Sequence, residues 1–361
     1  MNAAQLQSSR AAWLRPLLAV LAAIGVVTLL GAPMMVMKPR ELPIAVANLD
    51  QGAQTSAGEA NASEQVIAQL TASDMDGMVQ WLTYTSQEEI DQALEDNEVY
   101  AALVVPGNFT MASAAAAQGA GEAEPIVLTI NEGKNPMVST QLATAFGALT
   151  SGDLPVVQQA FHPIPRTLGA SAMFLPVVLV LMTFASSLVG GFATATALPL
   201  GPTGRWKTVA AQTALAVVVA PVVGLVCVLV VNAITGAGLP VVDMAVFFGL
   251  SSLALMTVVI ASVNLLGAAG LVIPMLFLLL GMATGNLAYE LLPAFWQNFV
   301  YPWNPLRFMG DGARALAFQG AGWWNAATPA MVVLLVIGLV LVATSVLGPR
   351  GRAVSASQSA A

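Results

Sequence analysis

A chain of 361 residues that is 57% hydrophobic and only 9% charged lies far from the globular norm of roughly half apolar and about a quarter charged, so it reads as an integral membrane protein. Nineteen acids against twelve bases give a formal net charge of −7 and no basic surface for nucleic acid; one cysteine and one histidine cannot build a disulfide framework or a metal cluster. The lone His162, beside Pro163 and Pro165, reads as a turn residue, and Cys227 sits in an apolar run.

Residues 1–15 are polar and carry Arg10 and Arg15, and 17–37 form an apolar run of about the ~20 residues that a spanning helix requires. That run exceeds the roughly 7–15 residues of a cleaved signal core, so it reads as an uncleaved anchor. Residues 38–166 then hold sixteen of the nineteen acids and only four bases, Lys38, Arg40, Lys134 and Arg166. Within them Leu42-Pro-Ile-Ala-Val-Ala-Asn48-Leu-Asp50-Gln-Gly52 predicts a buried strand ending in a turn, because a β-branched run stops at Asn, Asp and Gly. Tyr100–Phe109 predicts a second strand and Ile126–Asn131 a third, while Glu88-Glu-Ile90-Asp-Gln-Ala93-Leu94 shows apolar residues at helical spacing. A small α/β domain with short tethers is expected, able to fold alone.

Beyond it, five spans are expected at about 172–193, 209–231, 245–263, 268–287 and 330–347. The third and fourth come from one uncharged stretch, 244–289, too long for a single crossing of a ~30 Å core at 1.5 Å per residue. The stretch breaks at Asn264-Leu-Leu-Gly267-Ala-Ala-Gly270, which predicts a tight hairpin. Glycine pairs such as Gly190-Gly191 and Gly281 with Gly285 allow close helix packing in lipid. With the anchor the spans number six, and both termini share a face. That face receives Arg10, Arg15, Arg205, Lys207, Arg350 and Arg352 without an acid, which places it in the cytoplasm and the acidic insertion outside. Trp13 and Trp206 stand beside the cytoplasmic bases and Trp296, Trp303, Trp323 and Trp324 in the outer segment 290–328, as interfacial belts require.

Two segments are candidate sites. In the outer one, the turn at Asn304 and Pro305 leads into a short helix with Arg307, Asp311 and Arg314 four and three residues apart. It is either a surface helix held by local ion pairs or part of an outer gate. In the cytoplasmic loop 199–207, Pro199, Gly201, Pro202 and Gly204 shape a compact turn, and Arg205 and Lys207 offer charge either to the membrane surface or to a partner protein. The chain has no Gly-x-x-x-x-Gly-Lys-Ser/Thr loop for ATP, since Gly201-Pro-Thr-Gly204-Arg-Trp-Lys207-Thr208 fails that spacing. No expected span carries Asp, Glu, Lys, Arg or His, which argues against an ion-coupled carrier and for an energy source on another chain.

The Val46-Ala-Asn48-Leu-Asp50-Gln-Gly52 strand and turn, the Ala101-Ala-Leu-Val-Val-Pro106-Gly-Asn-Phe109 strand, and the order of one span, soluble domain and five spans resemble the YhgE/Pip group of bacterial membrane proteins, which is similar to type 2 ABC exporter permeases. The chain lacks the extended coiled-coil section of the longer members. The resemblance implies an α-helical integral membrane protein with six spans plus a small external α/β domain, divided as 1–37, 38–168, 169–349 with an outer hairpin at 290–328, and 350–361. It implies a bacterial plasma-membrane location and a homo- or heterodimer of permease subunits among membrane lipids. Cytoplasmic ABC ATPase subunits would bind the ATP, with no cofactor on this chain, and an amphipathic or lipid-like cargo would move outward. It also likens the Asn-Pro turn and arginine helix to the outer hairpin of such permeases. The competing expectation is an envelope scaffold or receptor without transport.

Overall fold

The computed structural model describes residues 39–55, 58–72, 77–150, 156–201 and 203–347. The expected first span, its preceding cytoplasmic segment, Pro202 and the C-terminal tail lie outside the described residues.

The polar insertion forms an α/β unit in the order β1 (Leu42–Asn48), β2 (Ala53–Thr55), β3 (Gly58–Ala60), α1 (Ala62–Ala72), β4 (Val79–Tyr84), α2 (Gln87–Glu95), β5 (Ala101–Val105), α3 (Phe109–Ala117), β6 (Ile126–Asn131), α4 (Pro136–Thr150) and β7 (Val156–Phe161). The sheet order is β4-β1-β5-β6-β7; β1 runs parallel to β4 and β5, and β6 is antiparallel to β5 and parallel to β7. Strand β1 is covered on both faces, which explains why it reads as an unbroken apolar run instead of an alternating one. Ala45, Ala47, Ala102 and Val104 face Ile90, Ala93 and Leu94 of α2. Leu42, Ile44, Val46, Leu103, Leu128 and Ile130 face the opposite way, toward Val138, Leu142 and Phe146 of α4. Helix α2 starts where Ser86 accepts the Glu89 amide (3.2 Å) and Glu89 Oε2 accepts the Thr85 amide (2.9 Å), close to a capping box.

The turn after β1 is a structural cap. Asn48 Oδ1 accepts the Asp50 amide (3.2 Å), and Asp50 in turn takes the Thr110 amide (3.1 Å) and the Thr110 hydroxyl at the start of α3. Burial pushes the Asp50 carboxyl up, but these bonds and one from Ser63 outweigh it and hold the group below its ordinary range. The motif thus fastens β1 to α3.

The second apolar layer on the sheet is not from the insertion. Leu287, Ala288, Leu291, Leu292, Trp296 and Val300 join the cluster of Leu42, Ile44, Leu128 and Phe146. The α/β unit therefore completes its core with a piece of the segment between the last two long apolar stretches, which bears directly on the expectation that it folds alone. Trp296 is 2% exposed, so it belongs to this core and not to an interfacial belt, whereas Trp303, Trp323 and Trp324 are exposed.

Among the described residues, four stretches are long and apolar enough to cross a membrane: Ser171–Ala197, Arg205–Thr235, Val241–Thr284 and Thr328–Leu347. They contain α5 (Ser171–Ala197), α6 (Arg205–Thr235), α7 (Val241–Leu266), α8 (Val272–Thr284) and α11 (Thr328–Thr344). The 44-residue stretch is interrupted by a 3-10 turn at Gly267–Leu271, which overlaps the break expected at 264–270. Gly267 takes φ 66°, and Gly270 lies against the Ser262 backbone with no space for a side chain. Phe247 near the start of α7 lies against Gly312, and Gly285 beyond the end of α8 lies against Gly310, so the two helices double back on each other. Helix α8 has 13 residues, about 20 Å at 1.5 Å per residue, and is shorter than the expected 268–287 span.

Two further helices follow, α9 (Ala294–Phe299) and α10 (Pro305–Phe318). Helix α10 is not a surface helix: Leu306, Met309, Ala313 and Leu316 pack among Leu175, Leu179 and Phe247, and even Arg314 is only 7% exposed. Gly310 and Gly312 make this possible, because a Cβ at either would collide with Gly285 or with the Phe247 ring. The overlooked signal is the set of small residues Gly310, Gly312 and Ala313 interleaved with the charged ones.

Candidate functional site

The outer candidate residues assemble at the junction of the α/β unit with α10. Asn304 caps α10, accepting the Leu306 amide (2.9 Å), and donates its own amide to the Phe277 carbonyl of α8 (3.1 Å); Pro305 supplies the first helical residue, where a missing N–H costs nothing. The turn thereby pins α10 to α8. Within α10, Asp311 is shared: its Oδ2 takes Arg307 Nε at 3.0 Å and its Oδ1 takes Arg314 at 2.5 Å. Arg314 Nη1 also reaches the Gly285 carbonyl (3.3 Å). Arg307 lies 4.0 Å from the centroid of the Tyr301 ring, a stacked cation.

These charges form one wall of a cleft of about 330 Å³. The opposite wall comes from the α/β unit, chiefly Asn97, Tyr100 and Lys134, which sequence reasoning did not single out. Lys134 Nζ donates to the carbonyls of Asn97 and Glu98, the latter at 3.0 Å, and stands 4.1 Å from the Tyr100 ring centroid. Its burial pulls the ammonium down to about 8, and the more distant Glu290, Glu98 and Asp311 restore only part. Burial likewise pushes the Tyr301 phenol up to about 12 and the Tyr100 phenol well above its ordinary value, the latter aided by Glu290.

The two walls are bolted at both ends of the hairpin. At its start, Tyr100 donates its hydroxyl to Glu290 Oε2 (2.8 Å) and the Arg40 amide meets the Glu290 carbonyl (3.2 Å). At its end, Gln319 accepts from Asn97 Nδ2 (3.1 Å) and donates to the Gly133 carbonyl (2.9 Å). Residues 290–319 are thus held by the α/β unit on either side of α9 and α10. Only Glu290 and Gln319 among these anchors belonged to the hairpin in the sequence, and neither stands out there, because their partners are about 190 and 220 residues away.

The candidates in the loop before α6 divide differently. The loop spans 198–204, with Pro199 exposed and Gly201 partly covered, and Gly204 takes φ 67° to start α6. Arg205 and Lys207, expected in the loop, are in the first turn of α6 instead. Arg205 donates to the Val346 carbonyl at the end of α11, so it ties two helices together, whereas Lys207 and Trp206 face outward. Two bases in a first turn oppose the helix dipole, so they do not serve helix stability. Behind Pro199 lies a cavity of about 380 Å³ bounded by Asn264 and Gly267.

A family model for ABC-2 family transporter proteins matches residues 16–347. No curated protein and no solved structure matches this chain. The long apolar helices and this match make it a multi-pass membrane protein of the transport kind, and the chain belongs to the ABC-2 transporter family.

Proposed function

We propose that the chain is the permease subunit of a bacterial plasma-membrane exporter, working as a homo- or heterodimer with cytoplasmic ABC ATPase subunits that bind and hydrolyse the ATP. It crosses the membrane six times, with the termini inside and residues 38–168 outside, and moves an amphipathic or lipid-like substrate outward. The Val46–Gly52 strand and turn support a narrower place among the YhgE/Pip-like members. The observation that carries the reading is the family match over residues 16–347. The geometry agrees: the loop 198–204 meets the inner end of the α7–α8 pair, and the outer end of that pair grips α10 under the α/β unit. A push on the loop has a packed route to the outer hairpin.

The test is to purify the intact chain from its own membranes and identify co-purifying proteins. An ABC ATPase is expected in the complex. Lys207→Glu, which alters an exposed charge, should remove it, while a Thr203→Cys probe stays inaccessible from outside. A wild-type chain that never carries an ATPase would overturn the reading in favour of a scaffold or receptor role for the α/β unit.

A further inference from the structure

The cleft carries more positive charge than its inner acids neutralise. Asp311 is one carboxylate serving two guanidiniums, those of Arg307 and Arg314. Lys134 lines the same space, and among the described residues no carboxylate lies within 4.0 Å of it. Glu290 is the remaining inner acid, and its Oε2 is engaged by the Tyr100 hydroxyl at 2.8 Å. Three cations therefore face two acids. Asp96 completes the lining and the Glu98 carboxylate also acts on Lys134, but both are exposed, where water and salt screen them. Two carbonyls, of Asn97 and Glu98, and the Tyr100 ring face hold Lys134, but a desolvated cation with no adjoining anion remains costly. The lowered pKa of Lys134 is the expression of that cost.

A second observation concerns what adjoins the cleft. Gly285, whose carbonyl receives Arg314, borders on its other side an apolar notch lined by Val177, Val180, Leu181, Met282 and Leu306. The notch is only about 30 Å³, too small to enclose a chain, and Met282 on its rim is 48% exposed. One hydrogen bond, from Arg314 on the cleft wall to the Gly285 carbonyl on the notch wall, links the two. At about 330 Å³ the cleft is at the lower end of the ~300–1,000 Å³ usual for small-molecule sites, suited to a head group and not to a whole lipid.

Resting on the amphipathic-cargo reading above, we propose that this cleft receives the anionic head group, phosphate or carboxylate, of an acyl-chain-bearing molecule, with Lys134 and Arg307 as its contacts and the chain leaving the cleft toward the apolar notch and lipid. The anion supplies the charge that Asp311 and Glu290 leave unmet.

The full-length chain in detergent is offered phosphatidic acid or phosphatidylcholine, and retained lipid is counted by native mass spectrometry, with and without inorganic phosphate as competitor. Phosphatidic acid should be retained at least tenfold over phosphatidylcholine and be displaced by millimolar phosphate. Lys134→Gln and Arg307→Gln should each lower retention about fivefold or more, Lys134→Arg should restore it, and Lys207→Gln at the far end should leave it unchanged. Equal retention of the two lipids overturns the proposal, as does full retention in the folded Lys134→Gln chain. Binding of phosphate without selective retention of phosphatidic acid overturns the lipid assignment. No ATPase takes part, so this result and that of the co-purification test stand or fall separately.

Discussion

Gln212 and Asn264 exchange side-chain amide hydrogen bonds across α6 and α7, at 2.8 and 3.2 Å. Gln212 is fully buried and also donates to the Leu198 carbonyl (2.8 Å), and Asn264 reaches Ser345 (3.4 Å), so one knot joins the loop, two helices and the end of the chain's last span. Replacing either amide by leucine strands its partner, at a cost of about 1–3 kcal/mol for an unsatisfied buried group. The double substitution removes both and should cost less than the sum of the singles, with a coupling of about 0.5–2 kcal/mol. Thermal unfolding in detergent of the four chains measures it, and strict additivity would show that the pair does not act as a unit.

The contact of Gly224 with α7 makes a sharper packing prediction. A Cβ there would stand 2.6 Å from the Ala245 carbonyl oxygen and closer still to the Gly249 amide, both backbone atoms that cannot swing away. Gly224→Ala should destabilise the bundle by about 1–3 kcal/mol, the usual penalty for overpacking. Gly121, with open space around it, is the control, and its alanine variant should unfold like the parent. A Gly224→Ala chain as stable as the parent would mean that α6 and α7 do not approach this closely.

How much of this was legible in the sequence depends on the range of the contact. Strands β1, β5 and β6 and helix α2 declare themselves through local runs and caps, and the reversal at Gly267–Leu271 through glycines in an over-long apolar stretch. The Arg307, Asp311 and Arg314 set is legible too, because its partners are one helical turn apart. Its burial was not: the hairpin looks polar from within, and only Leu175, Leu179 and Phe247, distant in sequence, turn it inward. Lys134 reads as one base in an acidic domain until the fold sets it opposite α10. Trp296 looks interfacial by type and position, yet the sheet claims it.

That claim on Trp296 predicts what the isolated α/β unit will do. A fragment of residues 43–163 leaves uncovered the face that Leu291, Leu292, Trp296 and Val300 close. It should associate or bind a hydrophobic dye, whereas the same fragment joined by a linker to residues 286–301 should be monomeric. In the whole protein Trp296→Ala should cost about 3–5 kcal/mol, as large buried aromatics do. A monomeric, cooperatively unfolding 43–163 fragment would show that the sheet face needs no cover.

The cleft predicts an uncommon dependence of stability on pH. Lys134 falls from an ordinary 10.5 to about 8 in the folded protein, because burial disfavours the ammonium. Between those values the unfolded chain keeps a proton that the folded chain has released, so stability rises with pH through that window. The phenols act in the opposite sense. Burial raises Tyr301 from 10.0 to about 12, so above pH 10 the folded chain holds a proton that the unfolded chain loses, and stability falls. The melting temperature should therefore climb from pH 8, pass through a maximum near the crossover, and decline in more alkaline solution. The climb corresponds to about 1–2 kcal/mol once solvent access to the cleft is allowed for. Lys134→Met should flatten the rising limb and leave the falling one, and Tyr301→Phe should soften only the fall. A parent profile that declines steadily from pH 8 would mean that Lys134 is charged and at ease in its cleft, with no deficit for an anion to fill.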